Sequence, residues 1–167
     1  SAYERLPAAL KQLAGALRGV HSNMGEFVPY RPDFDSEENR KYAKQFQSVE
    51  FVTEHPLVRV IPETGESALV LGGHFRYFVG VTREDSARLY QLFQSYITLP
   101  ENTVRWRWRP GDLVIWENRT TQHRAVDDYG TEHRLMHGVT IEGDLPVGLD
   151  GRPSIARIEA DRPKKAA

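Results

Sequence analysis

Between Trp116 and Gly138 the sequence reads WENRTTQHRAVDDYGTEHRLMHG, gathering His123, His133 and His137 with Arg119, Arg124 and Arg134 inside 23 residues. A neutral imidazole is a good ligand for a divalent transition metal, and a fixed guanidinium grips a carboxylate through two parallel hydrogen bonds. At the middle, Asp127-Asp128-Tyr129-Gly130 are turn formers, with glycine last, where a positive φ is often required. A hairpin centred between Asp128 and Tyr129 sets His123 opposite Arg134, with Cβ atoms roughly 5 Å apart on one face. One small ligand with a metal-chelating end and a carboxylate end would bridge that pair. His133 and His137 have the four-residue spacing of a helical metal pair. The surrounding RLMHGVTIEG is β-branched and ends in glycine, so it reads as a strand and the two as surface or packing histidines. Asp127 and Asp128 read as turn formers rather than ligands, and Arg124 as a surface residue. His21, His55 and His74 fall at no ligand spacing.

Such a hairpin needs strands to carry it. In VRWRWRPGDLVIWEN, Val104, Trp106 and Trp108 alternate with Arg105, Arg107 and Arg109 before a turn at Pro110-Gly111-Asp112 and a return as LVIW. A two-residue alternation predicts one buried and one solvated face. Interleaved arginine and tryptophan also suit single-stranded nucleic acid, a competing reading. LVRVI and ESALVLG predict two strands joined across Pro62-Glu63-Thr64-Gly65. LPAALKQLAGALRGV predicts a helix opened by Pro7, with Leu10, Leu13, Ala14 and Leu17 on one face and its close at Gly19. TREDSARLYQLFQSYI predicts a second, with Thr82 and Asp85 as its cap and Leu89, Leu92, Phe93 and Tyr96 on one face. From His21 to Glu54 the chain is polar and reads as a long, partly helical surface excursion. The stretch after Asp144 reads as a trailing tail, dividing the chain into a domain of residues 1–146 and a polar tail of 147–167.

Composition sets the limits. The 167 residues have a net charge of −1, 40% hydrophobic and 27% charged residues, and no cysteine. That describes one globular domain without a global basic field for nucleic acid or anionic membranes. Thiol nucleophiles, zinc–thiolate centres and disulfides are excluded. No apolar run reaches the ~18 residues of a membrane span, and the start lacks a signal-peptide layout, so a cytoplasmic location is expected.

Three runs, HPLVRVIPETGESALVLGGHF, GVTREDSARLYQLFQSYIT and PENTVRWRWRPGDLVIWENRTTQHRAVDDYGTEHRLMH, closely resemble the C-terminal half of the TauD/TfdA family of iron(II)- and 2-oxoglutarate-dependent dioxygenases. The nearest likeness is to its alkylsulfatase-like branch, and it extends from Ser1 to about Pro146. It implies a mainly β fold with helical insertions (α+β), a double-stranded β-helix or jelly roll, of which this chain would hold only the C-terminal part. It also implies Fe(II), 2-oxoglutarate and dioxygen as cofactor and cosubstrates. In that likeness His123 is the distal iron ligand and Arg134 binds the C5 carboxylate of 2-oxoglutarate. The implied reaction is oxidative decarboxylation of 2-oxoglutarate to succinate and carbon dioxide, coupled to hydroxylation of a small organic substrate. Trp116, Asn118 and Gly138 are the candidate substrate-side positions, with Arg119 beside them. The expected partners are a small molecule and, for assembly, a second copy of the chain, with neither nucleic acid nor membrane.

Two departures stand out. The family takes its other iron ligands from an H-x-D motif, yet the histidines here begin HSN, HPL, HFR, HRA, HRL and HGV. A one-histidine site cannot hold iron usefully. The expectation is therefore the second half of an enzyme about twice as long, which also suits the start without Met. The alternative is a non-catalytic jelly-roll binding domain that has shed its iron site. Second, members acting on sulfonates and sulfate esters carry an arginine four residues after the 2-oxoglutarate arginine, where this chain has Gly138. On a strand, 138 lies on the face of 134 and about 13 Å along. The substrate expected is thus neither an organosulfate nor a sulfonate, or one held by another cation.

Overall fold

The computed structural model describes residues 1–24, 37, 41, 48–126, 128, 130 and 135–158. Pro7 opens helix α1 (Ala8–Ala16) as expected, but the helix stops before Gly19. Leu17 is already extended, and strand β1 (Arg18–Ser22) follows with all five residues buried. Gly19 is a strand glycine rather than a helix terminator. A Cβ there would lie 2.9 Å from Cε2 of Phe75, so only glycine lets that ring approach.

The polar stretch from His21 to Glu54 is therefore not all surface. His21, Ser22 and Asn23 are buried, and strand β2 (Val52–Pro56) pairs antiparallel with β1. Glu37 and Lys41 are helical and ion-paired at 2.9 Å, while the rest of 25–47 lies outside the described residues. After Leu57 the chain re-enters regular pairing as β3 (Val58–Val60), which forms the expected hairpin with β4 (Ser67–Leu69). Gly65, at φ +73°, makes the turn. Strand β5 (Phe75–Phe78) pairs with the far edge of β1. Helix α2 (Arg83–Ile97) starts on the expected cap, with Thr82 Oγ1 accepting from the Asp85 N–H at 3.1 Å. Its buried stripe is Ser86 and Phe93, whereas Leu92 is 38% exposed.

The expected polar tail from residue 147 is, up to Ile158, structural. Strand β6 (Val147–Gly148) pairs with β3, and β7 (Ile155–Ile158) pairs with β2. These segments are too short to announce themselves by alternation. Among the described residues the result is two antiparallel sheets, ordered β5-β1-β2-β7 and β4-β3-β6. Leu6, Ala14, Leu17, Leu57, Val58, Leu69, Phe78 and Phe93 form the core under α1 and α2. In the first sheet the carboxylate of Glu54, 5% exposed, accepts from Arg18 Nε at 2.6 Å and Arg157 Nε at 3.1 Å. Burial alone would raise its pKa, but the hydrogen bonds from Arg157 and Arg18 outweigh that and hold it below the ordinary value.

Residues 103–146 depart from expectation. They contain no strand among the described residues. Val104, Leu113, Ile115, Val139 and Ile141 are each more than four-fifths exposed, and Trp106 and Trp108 are exposed as well. The face predicted to be buried is open, because burial needs a partner surface and the described residues supply none.

His21 and His55, which the sequence scatters, sit 5.0 Å apart between centroids in a T-shaped contact. His21 Nδ1 lies 3.1 Å from the Gly19 carbonyl, an obligate acceptor, so Nδ1 carries the proton, and buried Nε2 has no hydrogen-bond partner among the described residues. Ser154 Oγ donates to the Pro146 carbonyl at 3.0 Å, so it accepts from His55 Nδ1 at 2.7 Å. Burial pushes both imidazoles down to about 4; at His55 the nearby His21, Arg18 and Arg59 reinforce it. The unfolded chain thus takes up protons that the folded chain refuses. Stability should be complete above pH 6.5 and fall as pH drops towards about 4, by at most about 3 kcal/mol per histidine. Urea midpoints at pH 7.5 and 5.0 measure the drop, and an undiminished drop in a His21→Gln, His55→Gln variant would assign it elsewhere.

Candidate functional site

A tight turn opens the site segment. Gly111 sits at φ +89°, and the Asp112 carboxylate accepts from the Arg109 N–H at 2.9 Å and from Trp106 Nε1 at 3.2 Å. The chain then runs without helix or strand to Trp116 and reverses at residues 117–120, where the Thr120 N–H reaches the Glu117 carbonyl at 3.3 Å. The approach to His123 is therefore a turn and not a strand, so inward–outward parity does not sort Trp116, Asn118 and Arg119. The reversal lays the His123 ring over Trp116, with centroids 5.1 Å apart and planes inclined by 53°. Asn118 is exposed. The neighbouring Gln122 accepts from Gln94 Nε2 at 2.9 Å, which ties the segment to α2.

Arg119 lies at the centre of an ion network. Its Nη1 donates to both oxygens of Glu63 at 3.0 and 3.1 Å and to Asp144 Oδ1 at 2.7 Å. Nε and Nη2 each donate to Glu117 at 2.9 Å. Asp144 is held from the other side by Arg59 Nη2, at 2.9 Å to each oxygen, and Arg59 is buried on β3. The Arg119 guanidinium pulls Glu117 down to about 2 and holds Glu63 and Asp144 below their ordinary values. In return Glu117, then Asp144 and Glu63, raise the pKa of Arg119. Among the described residues the network holds two cations and three anions, so it carries no surplus positive charge. From the sequence Glu63 reads only as a turn residue and Asp144 only as the boundary of the tail, with no link to Arg119. They stand 56 and 25 residues from Arg119, beyond any local pattern.

Arg134 and His133 lie outside the described residues, as do Asp127 and Tyr129. Across the turn Gly130 has the positive φ expected, +57°, and Asp128 pairs with Arg105. His137 is exposed. Among the described residues nothing lies within 4 Å of a Cβ built on Gly138. Among the described residues no three His, Asp or Glu side chains converge as a metal-holding set. An exposed imidazole on a fixed turn fits one position of a facial iron triad. It does not complete one. The surface recess lined by Leu92, Ser95, Tyr96 and Leu99, about 350 Å³, does not include His123.

A family model described as "Taurine catabolism dioxygenase TauD, TfdA family" matches residues 1–140. The chain is 47% identical over 154 residues to an alpha-ketoglutarate-dependent sulfate ester dioxygenase of Pseudomonas putida, covering 92% of this chain and 51% of that protein. It is 45% identical over 151 residues to an alkylsulfatase of Acinetobacter baylyi, covering 90% and 48%. The crystal structure of a taurine dioxygenase from Burkholderia xenovorans aligns with a TM-score of 0.65 at 34% identity, over 96% of this chain and 50% of that one. The chain spans about half the length of these relatives.

The space at Gly138 has a direct consequence. With no described residue within 4 Å of that Cβ and no positive φ at that position, Gly138→Arg should change stability by no more than about 0.5 kcal/mol. Thermal unfolding of the variant checks this, and a clear loss would mean that the position is filled.

Proposed function

The chain belongs to the TauD/TfdA family, and on that premise we propose that it is the C-terminal part of an Fe(II)- and 2-oxoglutarate-dependent dioxygenase. The observation that carries this reading is His123: an exposed imidazole packed on Trp116 at the end of a side-chain-anchored turn. In the proposal His123 is one iron ligand, and Arg134 binds the distal carboxylate of 2-oxoglutarate. Iron would let dioxygen oxidise 2-oxoglutarate to succinate and carbon dioxide, with one oxygen atom entering succinate and the other the substrate. The role of this chain's residues is to bind and orient. Trp116 fixes the histidine ring, and a bidentate arginine grip would set the direction of the cosubstrate. The remaining iron ligands would come from an H-x-D motif that the sequence lacks, on strands that would also cover the apolar face of Val104, Leu113, Ile115, Val139 and Ile141. Those strands would close a jelly roll.

Gly138 bears on substrate class. A glycine there leaves room and no charge, and Arg119 is neutralised by its carboxylates. The substrate proposed is therefore a small organic molecule without a sulfate or sulfonate group held at residue 138, unlike the compounds in the relatives' names. Placing Gly138→Arg in the complete enzyme should create or raise turnover of alkyl sulfates. No gain would count against this assignment.

The metal test is spectroscopic. Anaerobic addition of Fe(II) and 2-oxoglutarate to the 167-residue chain should give no visible charge-transfer band. Joined in one polypeptide to an H-x-D-bearing family half, the chain should give the band, and His123→Ala should abolish it. A band that survives His123→Ala overturns the assignment of His123. Absence of any band in the joined protein favours a non-catalytic binding domain.

A further inference from the structure

We propose that Arg119 is a positioning residue for His123, fixing through one guanidinium the chain reversal that sets the imidazole against Trp116; its catalytic meaning rests on reading His123 as an iron ligand. The segment needs such a device. Among the described residues no strand ladder runs through 103–146, so the backbone around His123 lacks the pairing that fixes β1 to β4. An unpaired segment is held by side-chain ties or not at all.

Arg119 ties in two directions at once. Locally, Nε and Nη2 bracket the carboxylate of Glu117, and the Arg119 N–H also donates to Glu117 Oε1 at 2.9 Å. This closes the reversal between Trp116 and His123. At long range Nη1 reaches Glu63 in the β3–β4 turn and Asp144, the latter locked by the buried Arg59 of β3. The mechanical path runs from β3 through Arg59 and Asp144 to Arg119, and so to the turn. Close packing reinforces it, since a Cβ on Gly143 would meet Arg119 Cδ at 3.4 Å. A planar fork with five donors can serve three carboxylates in different directions, whereas a lysine ammonium is a single point. Gln122, bonded to Gln94 on α2, holds the other end of the same short stretch.

The network has the geometry of a positioning device rather than of a binding site. Its acceptors are filled by its own donors, and its charge is not cationic. A metal ligand misplaced by about 1 Å costs on the order of a hundredfold in rate. Loss of Arg119 should accordingly uncouple 2-oxoglutarate consumption from substrate hydroxylation more than it weakens 2-oxoglutarate binding.

The primary test needs no metal. In histidine-selective NMR spectra of the protein, the Trp116 ring current displaces the His123 imidazole signal, and Trp116→Leu marks its undisplaced position. Arg119→Gln should move the signal most of the way to that position while the His21 and His55 signals stay where they are. Arg119→Lys should fail to restore it. An unmoved His123 signal in Arg119→Gln overturns the proposal. If Arg119→Gln also collapses the His21 and His55 signals, Glu117→Gln, which opens the turn alone, decides: displacement of His123 supports the proposal and an unmoved signal refutes it. Adding Fe(II) to the unsubstituted, H-x-D-complemented protein separates the two readings. Broadening at His123 supports its role as a ligand. No broadening there defeats the ligand reading, and with it the catalytic meaning, while the metal-free result still judges the positioning claim.

Discussion

Leu57 is the single residue between β2 of one sheet and β3 of the other, and the rest of the molecule is arranged around that link. Its N–H donates to the Leu17 carbonyl at 2.9 Å, and its carbonyl accepts from the Val70 N–H at 2.7 Å. The side chain is 1% exposed in the core. One residue therefore carries the chain from β2 in the first sheet to β3 in the second without an intervening loop. The two sheets cannot shift relative to each other without breaking this crossing. It fixes where Arg59 lies on β3 and where the following turn presents Glu63. Those two side chains, with Asp144, decide where the segment bearing His123 can rest.

Local signals were legible in the sequence and long-range ones were not. The β3–β4 hairpin and α2 are each specified within about twenty residues, by a glycine turn and by a hydroxyl cap with its apolar stripe. Both elements form where expected, with Leu92 of α2 the exception in facing outward. Strand β1 is hidden because all five of its residues are buried, charged Arg18 and polar His21 included, so no alternation marks it. Its polar members each have at least one partner that no local pattern announces. Glu54 answers Arg18, and a backbone carbonyl answers His21. Strands β6 and β7 were missed for a related reason: two and four residues leave too short a pattern, and their pairing is decided by β3 and β2.

The site shows the same division. His123 stood out by residue type and spacing, and Trp116 by proximity to it. The segment that joins them reads as strand because alternating and apolar residues look the same whether or not a neighbour pairs with them. Val104, Leu113 and Ile115 have the composition of a strand face without its partner. From the sequence Arg119 reads as one of the candidate substrate-side groups, with its direction open. Its three carboxylates fix that direction. Charge on a side chain indicates chemistry only after its own protein's counter-charges have been counted.

The clamp on Glu54 also sets an order in time. Its carboxylate joins Arg18, 36 residues earlier, to Arg157, 103 residues later. A ribosome delivers the first arginine and the glutamate together, and the second only much later in synthesis. Until then one oxygen of the carboxylate has no guanidinium to meet, and the outer edge of β2 has no β7 to pair with. Contacts that span so much chain form slowly and late. The first sheet can therefore be finished only after the segment bearing His123 has already been made, so the nascent protein must carry its candidate site through a period when the scaffold beneath it is still incomplete.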